Sequence, residues 1–273
     1  MSSILTNSSA MTALQTLKSV NKGLNETQGR VSTGLQVSSG KDNAAYFAIS
    51  ETMKGDSSML KAVNEGLTSS KNSVSTARLG AETVKDLAGE FAERVAFAQN
   101  TPDANLADIQ AELDGLVGQI DAAIEQSTFN GENLVEGTAT ETVVTGVTRS
   151  GGTFTTTTFD FDQVDLRAIH TALDAVDISS AVTTTDLQTA ETQLGNAVSA
   201  ATSLGVAEKT LEGQQEFLGA LTDTIDQGVS AMVDADMEEE AARMQALQVQ
   251  QQLATQSLSI ANGQPQSLLS LFR

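Results

Sequence analysis

The 273-residue sequence contains no cysteine and no tryptophan, and it has only two prolines and one histidine. Without cysteine the chain can form neither a disulfide nor a thiolate metal site. A single histidine cannot supply the paired ligands of a zinc protease motif, and no Gly-x-Ser-x-Gly elbow surrounds any serine. We therefore expect no catalytic residues, no metal site, no cofactor and no enzymatic activity.

Long apolar runs are also missing. No stretch of 18 apolar residues occurs, so we expect no membrane insertion. The segment Met1–Asn7 lacks the charged region, the apolar stretch and the cleavage site of a secretory signal, and we expect no cleavable signal.

Charge of one sign dominates most of the chain, whose formal net charge is −20. Residues 1–99 are nearly neutral, with ten Lys or Arg against nine Asp or Glu, whereas residues 100–273 hold five against 26. This distribution offers no basic groove for phosphates and excludes nucleic acid as a partner.

The strongest positive signal is apolar residues at alternating steps of three and four near both ends of the chain. This spacing is typical of helices that pack as in coiled coils. The two seams comprise Leu14, Leu17, Asn21, Leu24, Gln28, Val31 and Leu35 at one end, and Met244, Leu247, Gln251, Ala254, Leu258 and Ala261 at the other. We expect the polar members Asn21, Gln28 and Gln251 to fix the register, and Gly263–Pro265 to end the last helix.

Further seams run from Leu60 to Val95 and from Leu187 to Met232, while Thr142–Phe161 is rich in Thr, Val and Phe around a glycine pair. The predicted fold is mainly α. Long antiparallel helices form a coiled-coil-like rod, with a small insertion that contains a β-hairpin.

Two further segments carry polar motifs. Gly34–Asp42 has the wrong spacing for a phosphate-binding loop and is interpreted as a break between two helices. The acidic run Asp234–Glu240 lacks the calcium-loop pattern and is expected to open a helix, where acids complement the helix dipole. Neither segment predicts a ligand site.

The terminal helices are too slender to enclose a core by themselves, and an isolated helix with an exposed apolar seam is marginal in water. We therefore expect residues 1–42 and 236–273 to become ordered when copies of the chain associate. We therefore expect the chain to be a subunit of an assembly.

Four motifs resemble the bacterial flagellins: Ile4–Asn7 with Ala10 and Leu14, Arg30–Ser50, Thr128–Gly131, and a C-terminal motif formed by Asp234–Gln251 and Ala261–Leu269. The last includes the ending Ala-Asn-Gly-Gln-Pro-Gln-Ser-Leu-Leu. The resemblance covers about residues 1–135 and 185–273, and its short middle is similar to α-proteobacterial flagellins. It implies an inner terminal-helix domain (1–42 plus 236–273), a helical rod domain (43–135 plus 166–235) and a variable exposed β insertion (136–165).

The resemblance also implies a function. Flagellins are secreted through type III export and polymerise into the extracellular bacterial flagellum, a helical filament that drives swimming. The implied partners are other copies of the chain, the flagellar cap protein, the hook–filament junction protein and an export chaperone. The alternatives are a hook–filament junction protein and a host-surface adhesin that binds through the β insertion.

Enteric-type flagellins present an Arg, a Leu and a Glu to the vertebrate innate flagellin receptor. By the resemblance, the equivalent positions are Glu90, Arg94 and Glu112. Replacing Arg by Glu inverts a charge, and replacing Leu by Arg puts a charge where an apolar contact belonged. We therefore predict weak or absent receptor activation.

Overall fold

A computed structural model describes residues 7–102, 105–150 and 153–271. The predicted mainly α fold is confirmed. The helices are α1 (Ser8–Thr33), α2 (Ala44–Ala98), α3 (Leu106–Gln126), α4 (Leu166–Asp174), α5 (Thr184–Val233) and α6 (Met237–Leu271). No helix in these ranges combines the length and apolar character that a membrane span requires.

Two small antiparallel sheets complete the fold. The first pairs β1 (Thr128–Phe129) with β2 (Glu132–Asn133) around Asn130 and Gly131, whose φ angles of 53° and 85° are left-handed. Such angles favour an Asn-Gly pair. The second is the predicted hairpin, formed by β3 (Thr140–Ser150) and β4 (Thr153–Asp162), whose glycine turn lies outside the described residues.

The chain divides into two compact units. The middle unit is Ser57–Asp223, and the terminal unit combines the residues up to Asp56 with those from Thr224 onward. In the middle unit, α2 and α5 run antiparallel, because Lys71 contacts Glu212 while Arg78 contacts Glu208. The predicted α2 seam is largely buried, with fully enclosed members that include Leu67, Val74, Ala77, Ala81, Val84, Ala88, Phe91 and Val95.

The hairpin contacts α5 through an irregularity in β3. The pairing register shifts between Val144 and Gly146, which leaves Thr145 without a partner residue in β4. Such a bulge turns a residue out of the regular ladder. The Thr145 side chain is buried, and its carbonyl accepts a hydrogen bond from Gln214 Nε2 at 3.0 Å. Strand β4 is exposed along most of its length.

In the terminal unit, the connection between α1 and α2 pairs with the connection between α5 and α6. Gly34 ends α1 with a left-handed φ of 73°, and its carbonyl accepts a hydrogen bond from the Ala235 amide at 2.9 Å. The Gln36 amide donates to the Val233 carbonyl at 2.7 Å. Beneath this pairing lies a small apolar cluster of Val37, Val229, Val233, Leu35, Phe47, Met53 and Met232.

The connection Gly34–Asp42 is a break between two helices, as predicted. The Asp42 carboxylate accepts hydrogen bonds from the hydroxyls and amides of both Ser38 and Ser39. The Ser39 hydroxyl, followed by the Ser38 amide, lowers the pKa of Asp42 because these donors stabilise its charged form. The side chain thus holds the loop closed and needs no ligand.

One prediction about helix boundaries is wrong. Helix α6 does not end at Gly263–Pro265 but continues to Leu271. A proline in a helix removes one backbone hydrogen bond, because it has no amide proton to donate four residues back. The carbonyl affected here is that of Ala261, and it accepts a hydrogen bond from Asn7 instead.

Candidate functional site

The candidate functional site is the pair formed by α1 and α6, because it contains both predicted assembly seams. The two helices are antiparallel: Asn7 contacts Ala261, Asn21 contacts Gln251 and Arg30 contacts Glu240. Both seams therefore meet within one chain.

The α1 face that packs on α6 follows one column of the predicted seam. Leu17, Leu24 and Val31, at seven-residue intervals, are all half-buried. Beside them, the more buried row lies one residue earlier than predicted and contains Val20 and Thr27. The predicted members Leu14 and Gln28 are exposed, Asn21 is half-buried, and Leu35 packs against the small apolar cluster.

The α6 seam faces α1 along its described length. Ala254 and Ala261 are buried, while Met244, Leu247, Gln251 and Leu258 are half-buried. A methyl group added at Gly23 of α1 would lie 3.5 Å from the end of the Leu247 side chain, so this leucine packs over the glycine. Small residues at such contacts allow helices to pack with little intervening volume.

Three polar contacts lie along this helix pair. The first lies at the N-terminal end of α1. The Asn7 side-chain oxygen accepts a hydrogen bond from the Ala10 amide at 3.0 Å and so caps α1. The side-chain nitrogen of Asn7 donates to the Ala261 carbonyl of α6 at 2.7 Å. Asparagine is a favoured cap because its short side chain satisfies a free amide of the first turn. Here the same side chain also satisfies the carbonyl that Pro265 cannot reach.

The second polar contact lies in the middle of the pair. Gln251 Nε2 donates to Asn21 Oδ1 at 2.6 Å. Polar pairs inside a helix interface stabilise one register, because a shift would leave both groups without partners. A register-fixing role is predicted for Asn21, Gln28 and Gln251. Asn21 and Gln251 contact each other, whereas Gln28 is exposed.

The third polar contact lies at the other end of the pair and involves a buried carboxylate. Glu240, in the first turn of α6, is 4% exposed. Its Oε1 accepts from Arg30 of α1 and from Arg243 of α6, both at 3.1 Å, whereas its Oε2 is buried without a hydrogen-bond partner. The sequence predicts only that this acid complements the positive end of the helix dipole. Nothing local in the sequence indicates Arg30 as its partner.

The rest of the acidic run opens α6 as predicted. The Asp236 carboxylate accepts from the amides of Glu238 and Glu239, at 2.9 and 3.2 Å. Among the described residues, no group of His, Asp and Glu is arranged to hold a metal ion.

The three receptor-equivalent positions lie on α2 and α3 in the middle unit. All three side chains are exposed, and Arg94 Nε lies 3.3 Å from Glu112 Oε2. Glu112 is therefore paired with a cation of its own chain.

Comparisons with known proteins agree with this arrangement. The N-terminal helical region of bacterial flagellin matches residues 4–140, and the C-terminal helical region of bacterial flagellin matches residues 187–272. The chain is 39% identical to the flagellin of Brucella melitensis and 34% identical to flagellin C of Rhizobium meliloti. Each alignment covers 100% of both proteins.

A solved structure supports the fold. A putative flagellar hook-associated protein from Vibrio parahaemolyticus superposes with a TM-score of 0.53 at 14% identity, covering 71% of this chain and 100% of that one. The family models account for both terminal helices and for most of the middle unit. The chain thus belongs to the bacterial flagellins, the structural subunits that polymerise into the flagellar filament for swimming motility.

Proposed function

We propose that the chain enters the filament through its terminal unit, and that the α1–α6 pair becomes fully ordered only in the polymer. One observation carries this proposal. Among residues 8–33 of α1 and 237–263 of α6, only Val20, Thr27, Glu240, Ala254 and Ala261 are buried in the single chain. Because ordering a residue costs about 1–2 kcal/mol of backbone entropy, so few buried side chains leave the pair marginal until neighbours cover it.

The predicted seam residues have an indirect role in this scheme. The buried and half-buried seam residues between Leu17 and Val31 and between Met244 and Ala261 hold α1 and α6 together, and the resulting pair is what neighbouring copies contact. The polar contacts of Asn7, Asn21 and Glu240 set its register, so every copy presents the same outer surface. A regular surface is a requirement of any helical polymer, in which each copy makes identical contacts.

We further propose the division into an inner domain of residues 1–42 and 236–273, a rod of residues 43–135 and 166–235, and an outward β insertion of residues 136–165. The compact terminal unit extends further, because it also includes the start of α2 and the end of α5.

The remaining assignments follow from membership of the family. We assign the chain a structural and not a catalytic role in the extracellular flagellum, with type III export before assembly. Its partners would be the flagellar cap protein at the growing tip, the hook–filament junction protein at the base, and a cytoplasmic export chaperone.

We also propose that this filament subunit activates the vertebrate innate flagellin receptor poorly. The inverted charge at Glu90 and the charged side chain of Arg94 oppose the enteric contact, and the Arg94–Glu112 ion pair engages the remaining acid. A reporter-cell assay comparing this protein with an enteric flagellin tests the idea. Potency equal to the enteric protein would contradict it, and Arg94→Leu is expected to raise the response by releasing Glu112.

Seeded polymerisation tests the central proposal. Purified full-length chain is mixed with sheared filament seeds, and growth is followed by sedimentation and negative-stain microscopy. Growth of the full chain but not of a chain lacking residues 236–273 supports assembly through the terminal helices. Circular dichroism of the truncated chain serves as the control, because α2, α3 and α5 should remain helical. A full-length chain that never elongates seeds would contradict the proposal.

A further inference from the structure

Strand β4 has one side along which no other strand of the described chain lies, and we call this side the open edge. The sheet that contains β4 has two strands within those residues, so β3 covers only the other side. Strand β3 contacts α5, because the Thr145 carbonyl accepts a hydrogen bond from Gln214. By contrast, all side chains from Thr153 to Thr158 are exposed. A strand in this position presents backbone amides and carbonyls that are available to a further strand.

The sequence of β4 lacks the features that usually prevent an edge from pairing with another chain. Protected edges carry proline, lysine or a bulge, or they are covered by another element. The segment Thr153–Phe159 contains no proline, no glycine and no charged residue, and the irregularity of the hairpin lies in β3 instead. Seven consecutive threonines and phenylalanines combine high β propensity with zero charge, which is typical of segments that add to another strand.

The charges around the hairpin restrict what can approach it. The middle unit holds eight Lys or Arg against 25 Asp or Glu, so two copies repel each other over most of its surface. Residues 142–159 differ, because they contain Arg149 and no acid. The Arg149 guanidinium lies 4.5 Å from the centre of the Phe154 ring, which places a positive charge above the start of β4. Asp160 and Asp162 lie at its other end. The open edge therefore has opposite charges at its two ends.

We propose that the open edge of β4 pairs antiparallel with the open edge of a second copy of this chain. The pairing is centred on Thr157. It places Asp160 of each copy opposite Phe154 of the other and thus beside Arg149. Opposite charges on neighbouring strands stabilise a sheet, whereas parallel pairing in register would set each aspartate against its own counterpart. The product is a four-stranded sheet, which is more stable than an isolated two-stranded hairpin.

The symmetry of this contact indicates where the second copy is. The same edge takes part in both copies, so the contact is isologous and the two copies are related by a twofold axis. Neighbours in one helical polymer instead contact each other through different surfaces. The second copy therefore belongs to another filament. This step goes beyond the proposed polymerisation, and it rests on the proposed outward position of residues 136–165.

Cysteine cross-linking tests the pairing and its direction. The chain has no cysteine, so Thr157→Cys and Thr153→Cys each give the unpolymerised full-length chain a single thiol. In the antiparallel pair the Cα atoms of the two 157 positions are about 5 Å apart, within disulfide range, whereas those of the two 153 positions are about 26 Å apart. Under mild oxidation, Thr157→Cys should form disulfide-linked dimers at least about tenfold faster than Thr153→Cys. A rate for Thr157→Cys that does not exceed that of Thr153→Cys overturns the proposal.

A charge swap tests the predicted contact between Asp160 and Arg149. In the Thr157→Cys background, Asp160→Lys and Arg149→Glu should each slow dimer formation about threefold or more, because each places like charges on neighbouring strands. The double variant should restore the rate, which a misfolded hairpin would not do. Asp160→Lys also makes the chain less acidic, so non-specific association would become faster. A faster Asp160→Lys variant, or a double variant that stays slow, contradicts the pairing.

Filaments show whether the contact joins separate polymers. Oxidised filaments of Thr157→Cys should lie side by side in negative-stain images and separate on reduction, while those of Thr153→Cys should stay apart. Disulfides at 157 without lateral association would place both copies in one filament and overturn the assignment to separate filaments. A chain that never elongates seeds would contradict the proposed polymerisation instead. The cross-linking and charge-swap tests use the unpolymerised chain, so they decide the β4 pairing independently.

Discussion

The two compact units hold their helices together by different means. The middle unit encloses large apolar side chains completely, including Leu67, Phe91, Leu113, Ile120 and Leu211. Within residues 8–33 of α1 and 237–263 of α6, the buried apolar residues are Val20 and two alanines, and polar contacts occur at both ends of the pair and in its middle. Apolar burial supplies most of the folding free energy, whereas buried polar contacts mainly select one arrangement. We conclude that the middle unit is built for stability in the monomer and the terminal pair for a defined register.

The largest expected effect comes from the apolar core of the middle unit. Leu113→Ala should lower the free energy of unfolding by about 2–5 kcal/mol, because it leaves a cavity in a fully enclosed site. The matched change in the terminal pair, Leu24→Ala, should cost roughly 1 kcal/mol, since Leu24 is half-buried. Urea unfolding followed by circular dichroism measures both, and equal losses would contradict the contrast between the units.

A glycine tests how tightly the middle unit is packed. A side chain at Gly80 in α2 would overlap the Ser127 hydroxyl, which is buried and donates to the Ala123 carbonyl at 2.6 Å. Gly80→Ala should therefore cost about 1–3 kcal/mol through overpacking. Its control is Gly118→Ala in α3, where nothing lies within 4 Å, and that change should stabilise the helix by about 0.5–1 kcal/mol. Thermal unfolding of the two variants should shift in opposite directions.

The buried carboxylate of Glu240 tests how much a polar contact contributes to the stability of the terminal unit. Glu240→Ala should cost about 1–2 kcal/mol, because hydrogen bonds to charged groups are lost but both arginines can turn towards water. Glu240→Gln retains an acceptor for Arg30 and should lose less. Hydrogen exchange of α1 amides detects the change locally. Unaltered protection of α1 in Glu240→Ala would show that this contact does not hold the helix pair.

The smallest expected effect concerns Asn7, which joins the start of α1 to Ala261 of α6. Asn7→Ala should cost about 1 kcal/mol through loss of the helix cap, and it also leaves the Ala261 carbonyl without a partner. Pro265→Ala supplies an amide that can bond that carbonyl within α6. The cost of Asn7→Ala should therefore be smaller in the Pro265→Ala background, and additive costs in this double-mutant cycle would refute the coupling.

Much of the fold could be predicted because it depends on periodic patterns. The α2 seam and the β-hairpin follow from local residue types, and the structure confirms them. The resemblance to flagellins extended the prediction of the fold to both ends of the chain, where the family models also match.

The predictions failed or were incomplete where a distant residue decides the outcome. The seam on α1 was predicted through Leu14, Asn21 and Gln28, yet the more buried row lies one residue earlier, at Val20 and Thr27. Helix α6 continues past Pro265, whose missing hydrogen bond is offset by Asn7 at the other end of the chain. The partner of Glu240 is likewise far away in sequence. None of these contacts leaves a local trace in the sequence.

The contact between Asn7 and Ala261 joins residues 254 positions apart in the chain. Closing a loop of that length directly is entropically costly and slow, so we expect the α1–α6 pair to form last, after α2 and α5 have brought its ends together. A chain delivered with one end first could not form this contact until its other end arrived. The final pairing would thus report that the entire chain has been delivered, and a growing polymer that accepts only paired ends would exclude incomplete subunits.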